Sequence, residues 1–311
     1  METDDDLQRW RDALAEDFRS LQDLICSGLE EVERAHGGAS FVEDAWKRPG
    51  GGGGRTRVLT SGAVWERGGV NFSEVEGQAS QALKAQMNTT ADRFWAAGVS
   101  LVLHPANPHV PIVHMNVRHF ALSDGTCWFG GGIDLTPHYV NVEEATQFHR
   151  VLRGVCEVHP CGRYEEFKAE ADRYFFLPHR KETRGVGGIF FDHLGREGAS
   201  REELDSLKAF VLDVGKAFLP AYLPIVKANV GRPFENSERD WQLHRRGRYA
   251  EFNLVWDRGT RFGLVSNGRT ESILMSLPPE VKWTYDHQPG ERERATLNWL
   301  RQGVDWAGSP S

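Results

Sequence analysis

The sequence predicts an α+β fold, a mostly antiparallel β-sheet with packed helices, and three observations carry that expectation. A long helical repeat opens the chain, a series of strand-like segments follows, and helical spacing dominates again from Val142. The strand-like segments are joined by tight turns such as Ser123-Asp124-Gly125, too short for the crossover that parallel neighbours need. Strands and helices also fail to alternate regularly, as they would in a doubly wound parallel sheet. No internal repeat and no long linker divides the chain, so one domain over residues 1–311 is expected.

Leu7, Trp10, Leu14, Phe18, Leu21, Ile25 and Leu29 recur at helical spacing, predicting one amphipathic helix over residues 4–35. Thr3 and Asp6 offer a capping start, and Gly37-Gly38 a stop. A short strand, Phe41 to Trp46, leads into the glycine run Gly50–Gly54. That run lacks the Gly-Lys-Ser/Thr of a phosphate loop and is expected to be a mobile surface loop, one that orders over a ligand at most. Val58 to Phe72 reads as strand pieces broken at Gly62 and Gly68-Gly69, and Glu76 to Ala97 as helix or loop. Apolar spacing marks helices around Val142–Val155 and Tyr164–Tyr174, and a buried strand over Gly185–Phe191. A helix starts near Ser200 with Glu203 as its capping-box partner and is interrupted by Pro220 and Pro224. Tyr249 to Trp256 alternates like a strand, Asp257-Arg258-Gly259 reads as a turn, and Arg261 to Val265 as the hairpin partner. A terminal helix is expected around Leu297–Val304.

The formal net charge of −7 argues against a general binder of nucleic acid or anionic membrane. No apolar run near the roughly 20 residues of a membrane span is apparent. The acidic start, Glu2 to Asp6, has neither a signal-peptide nor a transit-peptide character, so a cytoplasmic protein is expected. Cys26, Cys127, Cys156 and Cys161 fit no metal-ligand spacing and read as reduced thiols.

The most informative stretch is Val99–Pro137. Between Ile112 and Ala121, period-two alternation puts His114, Asn116 and Arg118 on one strand face and Val113, Met115 and Val117 on the other. A titratable ring, an amide and a guanidinium in one row make a poor core and a plausible floor for an anionic ligand. Arg118 suits bidentate capture of a carboxylate, against the alternative of a surface ion pair. The next strand ends in Gly130-Gly131-Gly132 and Asp134, where missing side chains would let a flat ring approach the backbone. The plainer role for Asp134 is a turn or cap aspartate.

Several blocks resemble oxygen-dependent coproporphyrinogen III oxidase. They are Gly68-Gly-Val-Asn-Phe-Ser73, Gly98 to Pro105, His114-Met-Asn-Val-Arg118 and Trp128-Phe-Gly-Gly-Gly-Ile-Asp-Leu-Thr-Pro137, and then Leu177-Pro-His-Arg180, Arg184 to Phe191, Arg245 to Thr260 and Glu271 to Pro278. The resemblance spans roughly residues 56–290 in the family's order. It implies a large, mostly antiparallel sheet flanked on both faces by helices. It also implies a homodimer through the region around Tyr249 to Thr284. The implied reaction is oxidative decarboxylation of two propionates of coproporphyrinogen III to vinyl groups, giving protoporphyrinogen IX with O2 as co-substrate and no organic cofactor.

It further implies His114 as a proton-transferring group, although a lone strand histidine is more often structural. Asp134 becomes a catalytic carboxylate that accepts pyrrole N–H groups and stabilises positive charge developing on the ring. Ser100, Asn116, Val117 (through its backbone), Arg118, Asn267, Gly268 and Arg269 become substrate contacts. The Asn267 side chain departs from the small residue of many relatives. His104, His149 and His179 match positions assigned to a divalent metal in some bacterial members, but their separation fits no compact metal motif, and Ala106 replaces a commonly polar neighbour. Two rival functions follow: a metal-dependent oxygenase on a related tetrapyrrole, and a tetrapyrrole-binding protein without turnover.

Overall fold

A computed structural model describes residues 4–195, 198–265, 268–308 and 310. In chain order the elements are α1 (Asp4–Ala35), β1 (Val42–Lys47), β2 (Gly52–Thr60), β3 (Trp65–Gln78), α2 (Gln81–Met87), β4 (Arg93–Pro105), β5 (Ile112–Leu122) and β6 (Cys127–Thr136). Then come α3 (Val142–Glu157), α4 (Tyr164–Tyr174), β7 (Phe176–Leu177), β8 (Glu182–Thr183), β9 (Gly187–Leu194), α5 (Arg201–Lys216) and α6 (Phe218–Asn229). The chain closes with α7 (Asn236–Glu251), a π-helical turn (Phe252–Trp256), α8 (Arg258–Val265), α9 (Thr270–Leu274) and α10 (Glu291–Trp299).

Seven strands form one antiparallel sheet in the order β1-β2-β3-β4-β5-β6-β9, a meander to which β9 adds after α3 and α4. β7 and β8 pair separately. The α+β class predicted from the element order is thus the observed one.

The two sheet faces differ in chemistry, and the difference positions the site. On β5, Val113, Met115 and Val117 are fully buried in the main core, with Phe18, Leu21 and Ile25 of α1 and Phe210 and Val214 of α5. On the opposite face the strand register lines up Asp44, Thr56, Asn71, Ser100, Asn116 and Gly132 across six strands. Smaller apolar clusters anchor helices to that second face: Tyr249 of α7 against Val102 and Ile112, and Phe175 and Phe252 against Phe190.

Helix α1 occupies the residues its repeat predicts and is followed at Gly37 by a φ of 73°, the left-handed conformation glycine adopts without strain. Near its end Glu33, fully buried, accepts the backbone N–H groups of Ala63, Val64 and Trp65. The Ser200–Glu203 capping box is present at α5. The four cysteines are free thiols.

Several expectations are corrected. Gly52, Gly53 and Gly54 lie in β2, hydrogen-bonded between β1 and β3, and only Arg48–Gly51 form a turn. A Cβ on Gly54 would stand 2.4 Å from the Trp46 ring, so glycine there admits the indole rather than mobility. Strand β3 passes unbroken through Gly68 and Gly69. Pro220 sits in the first turn of α6, where its missing N–H needs no intrahelical partner, and α6 continues through Pro224. The run Arg201–Asn229 is therefore long and apolar enough to cross a bilayer by length and composition, with 61% of its most apolar window buried inside the fold.

The largest correction concerns Tyr249 to Val265, read as a hairpin but folded as the end of α7, the π-helical turn and α8. Asp257 does not turn a hairpin. Its carboxylate accepts the Thr260 backbone N–H and hydroxyl at 2.7 Å each, capping the start of α8.

Candidate active site

Neighbouring strands bring His114 and Asp134 together, because their residues are directly opposed in the β5–β6 register. His114 Nδ1 lies 2.7 Å from Asp134 Oδ1. Arg184, on the segment before β9, donates from Nη2 to both Asp134 oxygens at 2.8 Å and from Nη1 to Asn253 Oδ1 at 3.0 Å. Asp134 and Arg184 are almost wholly buried, while the His114 side chain keeps 21% of its surface exposed. Nδ1 is the ring nitrogen that faces Asp134, so Nε2 is turned away from the carboxylate.

Burial alone would push the Asp134 carboxyl up. The Arg184 charge, with hydrogen bonds from His114 and Arg184, outweighs it and holds the group below the usual carboxylate range. Arg184 is itself enclosed by aromatic faces, its guanidinium carbon 4.3 Å from the Phe175 ring centre, 4.6 Å from Phe252 and 4.7 Å from Tyr249. Three residues form one hydrogen-bonded chain running from a buried arginine to a partly exposed imidazole.

Two residues along β5, Asn116 Oδ1 accepts from Arg118 Nη1 at 2.8 Å, and Arg118 Nη2 reaches Asp192 of β9 at 2.9 Å. This pair crosses β6 above Gly130, where a Cβ would lie 2.6 Å from Asp192 Oδ1 and 2.9 Å from the Arg118 guanidinium carbon. Gly130 therefore makes room for an ion pair of this chain, and Gly132 for the close passage of the Ile189 carbonyl. Ser100 is opposed to Asn116 in the β4–β5 register and shares its face. Val117 is fully buried on the other face, leaving only its backbone toward the site.

Gly268 and Arg269 precede α9, and Asn267 lies outside the described residues. Helix α9 rests on the polar face over β2 and β3: the Ser272 hydroxyl bonds Thr56 at 2.8 Å, and the Ser272 carbonyl accepts from Asn71 at 2.8 Å. Arg269 pairs with Asp44 of β1 and lies over the Trp46 ring. It is thus on the same sheet face as Arg118 but nearer the opposite edge.

His104, His149 and His179 are not brought together. His104 is buried with Nε2 against the Ser276 carbonyl at 2.8 Å. His149 holds Tyr164 Oη at 2.8 Å and the Val186 carbonyl at 3.0 Å. Burial pushes both rings down to about 3. His179 bonds Glu251 at 2.7 Å and accepts from Trp256 at 3.0 Å. Among the described residues, no group of three His, Cys, Asp or Glu side chains is arranged to hold a metal ion.

Sequence reasoning missed Arg184, Asn253, Asp192 and the aromatic cage. The available signal was Arg184 standing directly before a glycine-rich buried strand, where a charge has to find a buried partner.

One comparison with known proteins extends over nearly the whole chain. A family model described as coproporphyrinogen III oxidase matches residues 13–306. The chain belongs to the coproporphyrinogen III oxidase family, oxidoreductases of porphyrin biosynthesis that act on a tetrapyrrole.

Proposed function

We propose that this chain carries out the oxygen-dependent form of the reaction, converting two propionates of coproporphyrinogen III to vinyl groups and releasing protoporphyrinogen IX. In each step –CH2–CH2–COO⁻ becomes –CH=CH2 and CO2, and the electron pair of the broken C–C bond becomes the new double bond. Two electrons and one proton pass from the carbon next to the ring to O2, which takes one more proton and leaves as hydrogen peroxide. No organic cofactor takes part.

The observation that carries this reading is the His114–Asp134–Arg184 chain set beside Arg118 on one polar sheet face. Asp134 accepts the Nδ1–H of His114, which fixes the tautomer and leaves Nε2 as the basic nitrogen. Arg184 keeps Asp134 ionised, so a positive charge on the imidazole is stabilised when Nε2 takes a proton. Both Asp134 oxygens are engaged by protein groups, and the residue is buried. Asp134 therefore acts through His114 rather than by direct contact with pyrrole N–H groups. Arg118 and Arg269 hold propionates, with Ser100 and Asn116 completing the floor.

The chain works as a homodimer through the region around Tyr249 to Thr284. Exposed Leu254, Val255, Trp256, Leu264, Val265 and Trp283 in that region support this assignment.

The test is coproporphyrinogen III with and without O2 and with and without a chelator, read by product mass. Loss of one CO2 and two hydrogens per propionate, only in the aerobic arms and unaffected by chelator, is the expected result. Turnover without O2 refutes the oxygen-dependent assignment. Aerobic turnover abolished by chelator favours the metal-dependent oxygenase, and binding without turnover in every arm favours the carrier.

A further inference from the structure

We propose that Asp44 and Asp192 are resident carboxylates that occupy the two propionate-binding arginines until the substrate displaces them. The inference rests on the reading that Arg118 and Arg269 receive substrate carboxylates.

Each arginine already holds an aspartate: Arg118 the Asp192 carboxylate at 2.9 Å, and Arg269 the Asp44 carboxylate. The two aspartates come from the two edge strands of the sheet, β9 and β1, while Arg118 stands further in on β5 and Arg269 before α9. Both pairs are open to exchange, since the Asp192 and Asp44 side chains are 25% and 50% exposed and can rotate toward solvent without burying a charge. Other groups hold the guanidinium ends when the aspartates leave. Asn116 accepts from Arg118, and Ser272 and the Trp46 face support Arg269. Gly130 also belongs to this arrangement, because any side chain there would occupy the space through which Asp192 reaches Arg118.

Exchange of one carboxylate for another leaves the number of ion pairs at each arginine unchanged. Affinity then comes from a ligand that satisfies both sites at once, and a single small carboxylate gains little. The partners of Arg269 lie on β1 (Asp44 and Trp46) and over β2 (Ser272), three to four strand spacings from Arg118 on β5, which is roughly 14–19 Å. That span suits propionates carried by separate rings of one tetrapyrrole. The two aspartates therefore select for a ligand with several carboxylates on a wide frame.

Asp192→Asn and Asp44→Asn are near-isosteric and remove only the competing charge. The probe is coproporphyrin III, the oxidised tetracarboxylate macrocycle, titrated into the full-length protein by fluorescence, with Arg118→Ala as reference and thermal unfolding of each variant as the fold control. Each Asn variant should bind the probe about two- to five-fold tighter, the scale of a partly exposed ion pair, and should be inhibited more strongly by free propionate. Unchanged or weaker binding in both variants overturns the inference, because an aspartate that merely orients its arginine would weaken binding when neutralised. If Arg118→Ala weakens binding while the Asn variants leave it unchanged, only this inference falls. If Arg118→Ala binds like the wild type, the carboxylate reading of the floor falls and takes the inference with it.

Discussion

Replacing Arg184 by methionine tests the electrostatic foundation of the site. Methionine fills much of the same volume and keeps contact with Phe175, Tyr249 and Phe252, but leaves the buried Asp134 carboxylate with His114 alone. Both Asp134 oxygens lose a donor now at 2.8 Å, and Asn253 loses one at 3.0 Å. Breaking a buried ion pair by removing one member costs about 3–5 kcal/mol, a large share of the roughly 5–15 kcal/mol of a typical domain. The cost depends on pH with a definite sign. In the native protein the Asp134 pKa is depressed, so its contribution is present above the unfolded carboxylate value of about 3.9 and lost as pH falls through the lower folded value. In the variant, burial is opposed by His114 alone and raises the same pKa, so the penalty is largest near neutral pH and fades as Asp134 protonates. Urea unfolding should show a gap of about 3–5 kcal/mol between the two proteins near pH 7 that narrows toward about pH 4. A gap below about 1 kcal/mol, or one flat across that range, refutes the assignment of Arg184 as the group that keeps Asp134 ionised. Arg184→Lys should recover charge but not the planar fork or the aromatic stacking, and should fall between the two.

Two further outcomes follow from the same geometry. Asp134→Asn should keep the fold and lower kcat by about 10²–10⁴-fold, because the amide no longer fixes the imidazole tautomer; product mass per unit time measures it, and near-normal turnover removes His114 and Asp134 from the chemistry together. Gly130→Ala places a methyl group 2.6 Å from Asp192 and 2.9 Å from the Arg118 guanidinium carbon; displacing the guanidinium itself, and not only the competing Asp192, should raise KM several-fold with an unfolding midpoint close to wild type. A large stability loss with unchanged KM would show that backbone crowding, and not the ion pair, makes glycine necessary there.

The parts of the fold legible in the sequence are those where local periodicity and burial agree. Helix α1 matches its apolar repeat, and the alternation of β5 separates His114, Asn116 and Arg118 from a wholly buried opposite face, as the pattern implies. Residues 249–265 defeated the same reasoning. Phe252 to Trp256 is rich in strand-forming types and alternates, yet Phe252 and Tyr249 are claimed by the Arg184 cage, which holds this segment helical. The candidate site was legible to the extent that it lies on one strand. His114, Asn116 and Arg118 share a local register, and Asp134 follows from the next hairpin. Arg184 and Asp192 become neighbours of that row only when β9 joins the sheet after two intervening helices, and no local pattern encodes that pairing. The need for glycine at Gly130 and Gly132 is not encoded locally, because the groups that fill the space, Arg118, Asp192 and the Ile189 carbonyl, come from strands on either side of β6.

The contact of α9 and its preceding loop with the outer strands has a consequence for the order of assembly. Arg269 meets Asp44 across 225 residues of chain, and Ser272 meets Thr56 across 216. At ribosomal rates of roughly 5–20 residues per second, about 10–45 s separate synthesis of the two halves of the first pair. The meander from β1 to β6 has short connections and local contacts, so it can form during that interval. Its polar face then waits, with Asp44, Thr56 and Asn71 hydrated, until the last third of the chain arrives. A nascent protein stalled before Arg269 would own all seven strands of the sheet and an open, unfinished floor, making closure of the site one of the latest events in its birth.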